Sequence, residues 1–357
     1  MNLIRVNINN YKLRMCEKQK FCAVVKADAY GLGARKICAE IDDVVDYFAV
    51  SSQVEFFEIK KVVTKPILLL DPIYENITNA AKQNCEFCVS NMTQFERILK
   101  LANVNKNVFY RLHLAFNSGM NRFGFNKAED ILECFRKIKK TQNVSIIGVF
   151  SHFYAGNNKY FAKKQSVRFD ALRIFLASKI DISKIVFHIA NSSGFENVQD
   201  FNLIRIGLGM FLFDNRIVFS LESKVIEIRS LKIGETLGYG ASFFASSKMM
   251  VAVVAIGYAD GISRRLAGRG FVLVNGFFCK ILAVCMDSII IDVTGINVSL
   301  EDKVTLIGKN GCKEIFICDF ARWCDTIEYE IMTRISRRVK RVYLGGKNAN
   351  HNRKVQS

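Results

Sequence analysis

The sequence predicts an α/β protein in which a (β/α)8 barrel of the TIM type is followed by a mainly β C-terminal domain. In the first part of the chain, short apolar runs alternate with segments of helical periodicity. After about residue 222, strand-like runs follow one another without long helices between them. Polar side chains also follow several of the early runs, at the end of a parallel barrel where function normally lies.

Eight apolar runs in the first part are predicted to be parallel strands, because near-continuous hydrophobicity is typical of strands covered on both faces. The runs lie at 22–26, 47–51, 66–70, 86–89, 108–114, 146–151, 185–190 and 203–208. The segments with helical periodicity between them include 55–62, 93–101, 130–139 and 166–178. This alternation favours a closed barrel, and an open doubly wound sheet is the alternative that periodicity leaves open.

The second part of the chain is predicted to be a β domain. Its strand-like runs lie at 223–231, 249–257, 270–275, 278–285, 288–293 and 303–308. Asn275-Gly276 and Asn310-Gly311 are among the turn signals that separate these runs. Because a chain of 357 residues is longer than a single hydrophobic core usually accommodates, we expect two domains, 1–222 and 223–357.

The net charge of +18 makes nucleic-acid binding the main non-enzymatic alternative. The basic residues are scattered, however, and the densest cluster lies at 337–341. No zinc-finger spacing or aromatic–basic RNA-binding motif accompanies that cluster. Because positive charge also suits anionic substrates and a phosphate-bearing cofactor, we favour an enzyme that acts on small molecules.

The cysteines indicate a reducing compartment. The start of the chain, 1–8, lacks the apolar core and cleavage site of a signal peptide, so the eleven cysteines are expected to be reduced and the protein cytoplasmic. Cys85 and Cys88 form the one close CxxC pair and are interpreted as core residues, because no second pair completes a metal site. No apolar run reaches the length of a transmembrane helix. We therefore expect neither a metal nor a membrane partner.

The most specific feature of the sequence is the segment 22–34, in which an apolar run delivers Lys26 and a glycine-rich turn follows. Burial would depress the pKa of this amine, and a neutral amine can form a Schiff base with an aldehyde. Tyr30 can offer a hydroxyl group to an anion, while Gly31 and Gly33 let the backbone approach a ligand closely. These features predict a lysine that holds pyridoxal phosphate (PLP), and the alternative is a surface lysine at a strand end.

Polar residues follow the last three predicted strands of the barrel. Strand six ends in His152, strand seven is followed by Asn191 and Ser192, and strand eight carries Arg205 between isoleucines. An arginine in such a run must be paired, so a structural salt bridge is one interpretation. The other is a guanidinium that faces a pyridine nitrogen, keeps it unprotonated and weakens the ring as an electron sink. A satisfied core histidine is the alternative for His152, as it is for His188.

A phosphate is expected over Ser192 and the backbone of Gly207 and Leu208, with help from Tyr30. Glycine-lined loops after the last two strands of a barrel commonly form such a cradle, although an ordinary turn is the alternative. Arg122, in the loop after strand five, could clamp the phenolate of the cofactor or a substrate carboxylate. A surface arginine is the alternative there.

Two short motifs of the β domain complete the candidate chemistry. Tyr258 lies in the segment 257–261 and Met286 in the segment 285–287, and an Asp-Gly turn and a strand segment are the alternative interpretations. Racemisation needs an acid or base on each face of the α-carbon. Lys26 could serve one face, and Tyr258 with a lowered pKa could serve the other.

These motifs resemble those of the bacterial alanine racemase family over nearly the whole chain. In the family's order, the matching segments are 25–31, 119–124, 151–153, 190–192, 205–207, 257–261 and 285–287. The resemblance implies a PLP enzyme that interconverts L-alanine and D-alanine, supplying D-alanine for peptidoglycan. It also implies a homodimer, in which Tyr258 and Met286 reach the active site from the second subunit.

The resemblance assigns a role to each candidate residue. Lys26 is the Schiff-base lysine and one acid/base, and Tyr258 is the other. Arg205 faces the pyridine nitrogen, His152 supports Arg205 and the tyrosine, and Arg122 holds the cofactor and the substrate carboxylate. Substrate also contacts Met286, and the remaining cofactor contacts are Tyr30, Asn191, Ser192, Gly207 and Leu208.

The chain departs from the family pattern near the entrance and the substrate pocket. Ala115 replaces a lysine that can be carbamylated, and Asn117 replaces an aspartate. Ala283 stands where an arginine is usual, and Arg337 stands where a tyrosine is usual. These changes leave the proton-transfer pair intact, but a widened pocket could admit serine or a larger amino acid.

Two further alternatives share parts of this pattern. PLP-dependent amino-acid decarboxylases have the same architecture, but the Tyr258 motif favours a racemase. A non-catalytic PLP-binding barrel would keep Lys26 and the phosphate cradle. It would have no use for the second domain with Tyr258 and Met286, which argues against it.

Overall fold

The computed structural model describes residues 1–197, 200–213 and 216–345. The fold divides into two compact units. Within the described residues, the first unit comprises Met1–Ala29, Gly33–Met210 and the chain from Leu344. The second unit comprises Tyr30–Leu32 and Phe211–Tyr343.

The first unit is a parallel β-barrel. Its eight strands are β1 (Lys20–Val24), β2 (Tyr47–Val50), β3 (Ile67–Leu69), β4 (Cys85–Val89), β5 (Tyr110–Ala115), β6 (Val144–Phe150), β7 (Val186–His188) and β8 (Leu203–Ile206). Neighbours in sequence pair side by side from β1 to β7, and β8 pairs with β1. Two backbone hydrogen bonds nearly close the ring, from the Asn202 amide to the Phe187 carbonyl (3.1 Å) and from the Arg205 amide to the Ala190 carbonyl (3.3 Å). The predicted barrel is confirmed.

Helices alternate with these strands, as the periodicity predicts. They are Asn2–Lys12, Ala34–Ile41, Gln53–Lys60, Ile77–Ala81, Met92–Val104, Ala128–Ile138 and Lys159–Ala177. Ser52 begins one of them with a capping box, in which its hydroxyl accepts from the Glu55 amide and the Glu55 carboxylate accepts from the Ser52 amide. Inside the barrel, the side chains of Cys22, Val24 and Leu203 pack in one buried cluster.

The structure corrects the end of the first predicted strand. The strand was expected to run to Lys26, but β1 ends at Val24. Lys26 instead opens a left-handed turn in which Ala27–Tyr30 have φ angles between 51° and 57°. The left-handed conformation is costly for residues with a Cβ atom, and periodicity carries no signal for it.

The second unit is built on an antiparallel sheet of seven strands. In spatial order these are Leu221–Leu231, Met249–Val254, Ile289–Asp292, Phe277–Val284, Phe271–Val274, Lys303–Asn310 and Lys313–Ile315. Leu221–Leu231 also pairs with Lys303–Asn310, so the sheet curls round on itself. The mainly β character predicted for this part is confirmed. Two helices not predicted from the sequence, Ile317–Cys324 and Glu328–Arg334, follow the sheet.

Across residues 1–197, 200–213 and 216–345, no helix is long and apolar enough to cross a membrane. Over the same ranges, no group of three or more His, Cys, Asp or Glu side chains is arranged to hold a metal ion. Cys85 and Cys88 are buried in β4, as core residues would be.

Candidate active site

A cavity in the first unit lies at the carboxyl ends of the barrel strands. Segments that follow β1, β3, β5 and β6 contribute to its wall, together with β8. Its lining residues are Lys26, Leu70, Asp71, Ala115, Phe116, Asn117, Met120, Arg122, Phe123, Phe150, Ser151, His152 and Arg205. Four residues predicted from the sequence, Lys26, Arg122, His152 and Arg205, therefore line one cavity. This is the end of the barrel at which catalytic groups gather in this fold.

Lys26 is half-buried in the cavity wall rather than fully enclosed. The left-handed turn that follows it is held by hydrogen bonds at both ends. The Ala27 amide donates to Glu55 Oε1 at 2.8 Å, and the Ala34 amide donates to Asp28 Oδ1 at 2.7 Å. These bonds offset the cost of the turn and fix the direction in which the lysine leaves the backbone.

Arg205 is a buried cation with neutral partners. Its side chain is 3% exposed, and its Nη2 donates to the Ser151 carbonyl at 2.7 Å. Its Nη1 lies 2.5 Å from Nδ1 of His188, and its guanidinium lies 5.5 Å from the centre of the Phe150 ring. Among the described residues, no carboxylate forms a direct ion pair with it, so the structure does not support the structural salt bridge that was one of its two interpretations. Burial lowers the pKa of Arg205 to about 10, which leaves the group protonated at neutral pH.

His152 stands beside Arg205 as a neutral ring. Its Nδ1 lies 3.2 Å from Nη2 of Arg205, and its Nε2 lies 3.4 Å from Nδ2 of Asn191. Burial lowers the pKa of His152 to about 3, helped by the positive charges of Arg205, Arg122 and Lys26. The neutral ring can therefore accept one hydrogen bond, from Arg205 at Nδ1, without adding a second positive charge.

Arg122 reaches the cavity from a loop organised by an amide. Asn117 Oδ1 accepts from the backbone amides of Gly119 (3.1 Å) and Asn121 (3.0 Å). The guanidinium of Arg122 lies over the Phe123 ring, 4.8 Å from its centre. Ala115, which lines the same cavity, is buried and carries no charge that could pair with Arg122. The contact described for the Arg122 guanidinium is therefore the aromatic face of Phe123.

The predicted phosphate cradle forms a separate small cluster outside the cavity lining. Ser192 Oγ accepts hydrogen bonds from the backbone amides of Gly207 (3.0 Å) and Gly209 (3.3 Å). Leu208 is buried at the start of a short 3-10 turn. A Cβ atom at position 209 would lie 2.1 Å from the Tyr11 hydroxyl oxygen, so glycine is required there. Amides that converge on one oxygen are a common anion-binding arrangement.

The remaining predicted residues belong to the second unit. The Tyr258 amide donates to the Cys285 carbonyl at 3.0 Å, which ties its segment to the one that carries Met286. The side chains are exposed, Tyr258 by 39% and Met286 by 49%. Tyr30 is buried, and its ring centre lies 5.9 Å from those of Phe211 and Tyr329.

Two acidic residues of the first unit, Asp71 and Glu86, were not predicted from the sequence. Asp71 lines the cavity after β3, and the same rule that selected His152 at the end of a strand would have found it. Glu86 is buried in β4 and bonded to His113, whose Nε2 lies 3.0 Å from Glu86 Oε2. A charged residue within an apolar run was the available signal, as it was for Arg205.

Fold and site together define a (β/α)8-barrel enzyme with a lysine and a buried arginine in one cavity. The model of the alanine racemase N-terminal domain matches residues 1–214, and that of the C-terminal domain matches residues 218–343. The alanine racemase of Lactococcus lactis is 32% identical in an alignment that covers 96% of each chain. That of Ligilactobacillus salivarius is 33% identical, and the alignment again covers 96% of each chain. The chain belongs to the alanine racemase family.

Solved structures agree with this assignment. The alanine racemase from E. faecalis superposes with a TM-score of 0.87 at 29% identity and covers 94% of both chains. The alanine racemase from Bacillus anthracis, solved with bound L-Ala-P, gives a TM-score of 0.86 at 29% identity. That match covers 95% of this chain and 92% of the other.

Proposed function

We propose that this protein interconverts L-alanine and D-alanine with PLP and supplies D-alanine for peptidoglycan. The observation that carries the proposal is the cavity that combines the amine of Lys26 with the buried guanidinium of Arg205. Among the described residues no carboxylate forms a direct ion pair with Arg205, so its guanidinium can act on a ligand in the cavity. Membership of the alanine racemase family supports this reaction over decarboxylation.

The residues present fit PLP. Lys26 would bind its aldehyde, Arg205 would meet the pyridine nitrogen, and Arg122 would hold the phenolate. Ser192 with the amides of Gly207 and Leu208, Asn191 and Tyr30 would complete the cofactor contacts. When bound, PLP withdraws electrons from the substrate α-carbon and so makes its proton removable.

Each protein group then has a defined task. Lys26 takes or returns the α-proton on one face of the substrate, and Tyr258 does so on the other. Arg205, protonated at neutral pH, keeps the pyridine nitrogen from gaining a proton. His152 supports Arg205 as a neutral acceptor, while Arg122 and Met286 position the substrate. One of these two groups removes the α-proton from its face and the other donates a proton to the opposite face, so the two alanine enantiomers exchange.

The family pattern further supports a cytoplasmic homodimer. In this proposal Tyr258 and Met286 serve the active site of the second subunit, which agrees with their exposure on their own unit. None of the eleven cysteines forms a disulfide in the described chain, as suits a reducing compartment. Sedimentation of the purified protein tests the dimer.

Lys26→Ala tests the proposed cofactor lysine. The variant is expected to lose both the visible absorbance of lysine-bound PLP and alanine racemisation, because among the described residues that line the cavity Lys26 alone is a lysine. Lys20→Ala, at the other end of β1 and exposed, is the matched control and is expected to keep both. A Lys26→Ala protein that racemises alanine at the wild-type rate would overturn the proposal.

A further inference from the structure

Four buried polar side chains form a line across the barrel. Glu86 Oε2 lies 3.0 Å from His113 Nε2, and His113 Nδ1 lies 2.9 Å from His188 Nε2. His188 Nδ1 lies 2.5 Å from Nη1 of Arg205. All four are at most 4% exposed. We refer to Glu86, His113, His188 and Arg205 as the buried chain.

A glycine on β6 leaves space for the side chains of the buried chain. In the sheet β6 lies between β5 and β7, and its Gly148 is directly opposite His113. A Cβ atom on Gly148 would lie 2.1 Å from His113 Nδ1. Glycine therefore lets His113 pass over β6 and reach His188. The Phe150 ring stacks on His188 at an interplanar angle of 10°, which holds that ring in place.

The chemistry of the groups allows one direction of hydrogen bonding along the line. A guanidinium has donors only, so Nδ1 of His188 must accept and its proton must be on Nε2. Nε2 of His188 then donates to Nδ1 of His113, whose own proton must be on Nε2. That proton points to the carboxylate of Glu86. Both rings are thus neutral, and burial together with the charge of Arg205 holds the pKa of His188 well below its usual range.

We propose that Glu86 is a positioning residue for Arg205. Through two neutral imidazoles it supplies the negative charge that Arg205 lacks among its direct contacts, and it accepts the last hydrogen bond of the line that Arg205 begins. Arg205 is thereby held as a cation in one orientation while it lines the cavity. The expected effect on kcat rests on the proposed function of Arg205, whereas the expected tautomers of the two histidines do not.

NMR of the histidine side-chain nitrogens of the purified protein tests this proposal, because it reports the tautomers directly and requires no enzymatic activity. The chain has four histidines, so a sample labelled with ¹⁵N-histidine gives few signals, and His→Gln variants assign them. We expect His113 and His188 to be neutral, each with its proton on Nε2. A proton on Nδ1 of either ring, or a charged imidazolium, would overturn the proposal.

Two substitutions separate the charge of Glu86 from its role as a hydrogen-bond acceptor. Glu86→Gln keeps an acceptor oxygen and is expected to keep both tautomers and a hydrogen-bonded Nε2 proton on His113. Glu86→Leu removes the acceptor, so that proton is expected to lose its partner and the Nε2 resonance of His113 to shift, while Arg205 still sets both tautomers. Glu40→Gln is the matched control, because Glu40 is a buried carboxylate of the same unit outside the buried chain. An unchanged His113 Nε2 resonance in Glu86→Leu would show that Glu86 does not accept this proton and would overturn the proposal. If that variant fails to fold, the wild-type and Glu86→Gln spectra still decide.

Kinetics then test the role in positioning. Loss of a partner that orients a functional side chain typically lowers activity by about 10- to 100-fold, and we expect kcat for alanine to fall by at least about 10-fold in Glu86→Leu. KM should change less, and Glu40→Gln should behave as wild type. Wild-type kcat in a folded Glu86→Leu protein would contradict the inference. A wild-type enzyme that does not racemise alanine would instead refute the proposed function, and the tautomers would still report on the buried chain.

Discussion

Nη2 of Arg205 lies 3.2 Å from Nδ1 of His152, so a permanent cation and a titratable ring share one wall of the cavity. Burial and nearby positive charge hold the pKa of His152 at about 3, against 6.5 for an ordinary histidine. Between these two pH values His152 is protonated in the unfolded chain but neutral in the folded protein. The stability contributed by this neutral ring is therefore complete above about pH 6.5 and is lost as the pH falls toward 3.

His152→Gln is predicted to reduce the acid sensitivity of the fold. Each pH unit below 6.5 costs about 1.4 kcal/mol for such a group, so the thermal unfolding midpoint of the wild type should fall between pH 7 and pH 5. The variant should show a smaller fall, because glutamine does not titrate. Midpoints at several pH values check this. Titration of His152 near pH 6.5 in NMR spectra would contradict the account.

Tyr258→Phe is predicted to keep the cofactor and to lose conversion in both directions, because a block at one face stops the forward and the reverse reaction alike. The phenol is the proposed acid/base on one face, whereas the ring carbons that pack locally are retained. Incorporation of deuterium from heavy water into L-alanine and D-alanine, measured separately, shows which face has lost its proton donor. Tyr239→Phe, a tyrosine 76% exposed in the same unit, is the control. Equal exchange of both enantiomers at wild-type rates in Tyr258→Phe would remove the tyrosine from the mechanism.

Ser192→Ala is predicted to weaken PLP binding by about 10-fold, which corresponds to about 1.4 kcal/mol. Its hydroxyl gathers the Gly207 and Gly209 amides and is the proposed phosphate contact. Titration of the protein with PLP, followed by absorbance, measures the affinity. Ser193→Ala is the matched control, since the Ser193 hydroxyl instead donates to Asn191 Oδ1 at 3.0 Å. An affinity that changes equally in both variants would argue against the cradle.

Phe123→Leu is predicted to raise KM for alanine by about 2- to 5-fold with little change in kcat. Leucine keeps an apolar side chain at the cavity but removes the aromatic face under Arg122, and such a contact is worth about 0.5–1 kcal/mol near the surface. Steady-state kinetics check the split between KM and kcat. A fall in kcat alone would place the effect of Phe123 on the chemical step rather than on Arg122.

Much of the barrel could be predicted from the sequence because its strands are apolar runs, a pattern that requires burial on both faces. The position of Lys26 in the cavity wall followed from the same pattern. Its left-handed turn did not, since tertiary hydrogen bonds from Glu55 and Asp28 stabilise a backbone that local preference disfavours. The sequence indicated where the lysine would emerge but not how it would be held.

The partners of buried charges were the harder part of the site. Arg205 was recognised as a cation that needs compensation, but its carboxylate, Glu86, acts through two histidines from four strands away in the sheet. The sequence does not reveal such an indirect partner, because each hydrogen bond between these side chains depends on the register of the strands that carry them. Gly148 makes room for His113, but this role can be recognised only when the register between β5 and β6 is known.

The most direct test of the central claim is chiral chromatography of L-alanine after incubation with the purified protein and PLP. We expect D-alanine to accumulate until the two enantiomers are equal, and the Lys26→Ala protein to form none. Protein that shows the absorbance of lysine-bound PLP yet forms no D-alanine would contradict the claim. Release of carbon dioxide in that case would indicate a decarboxylase instead.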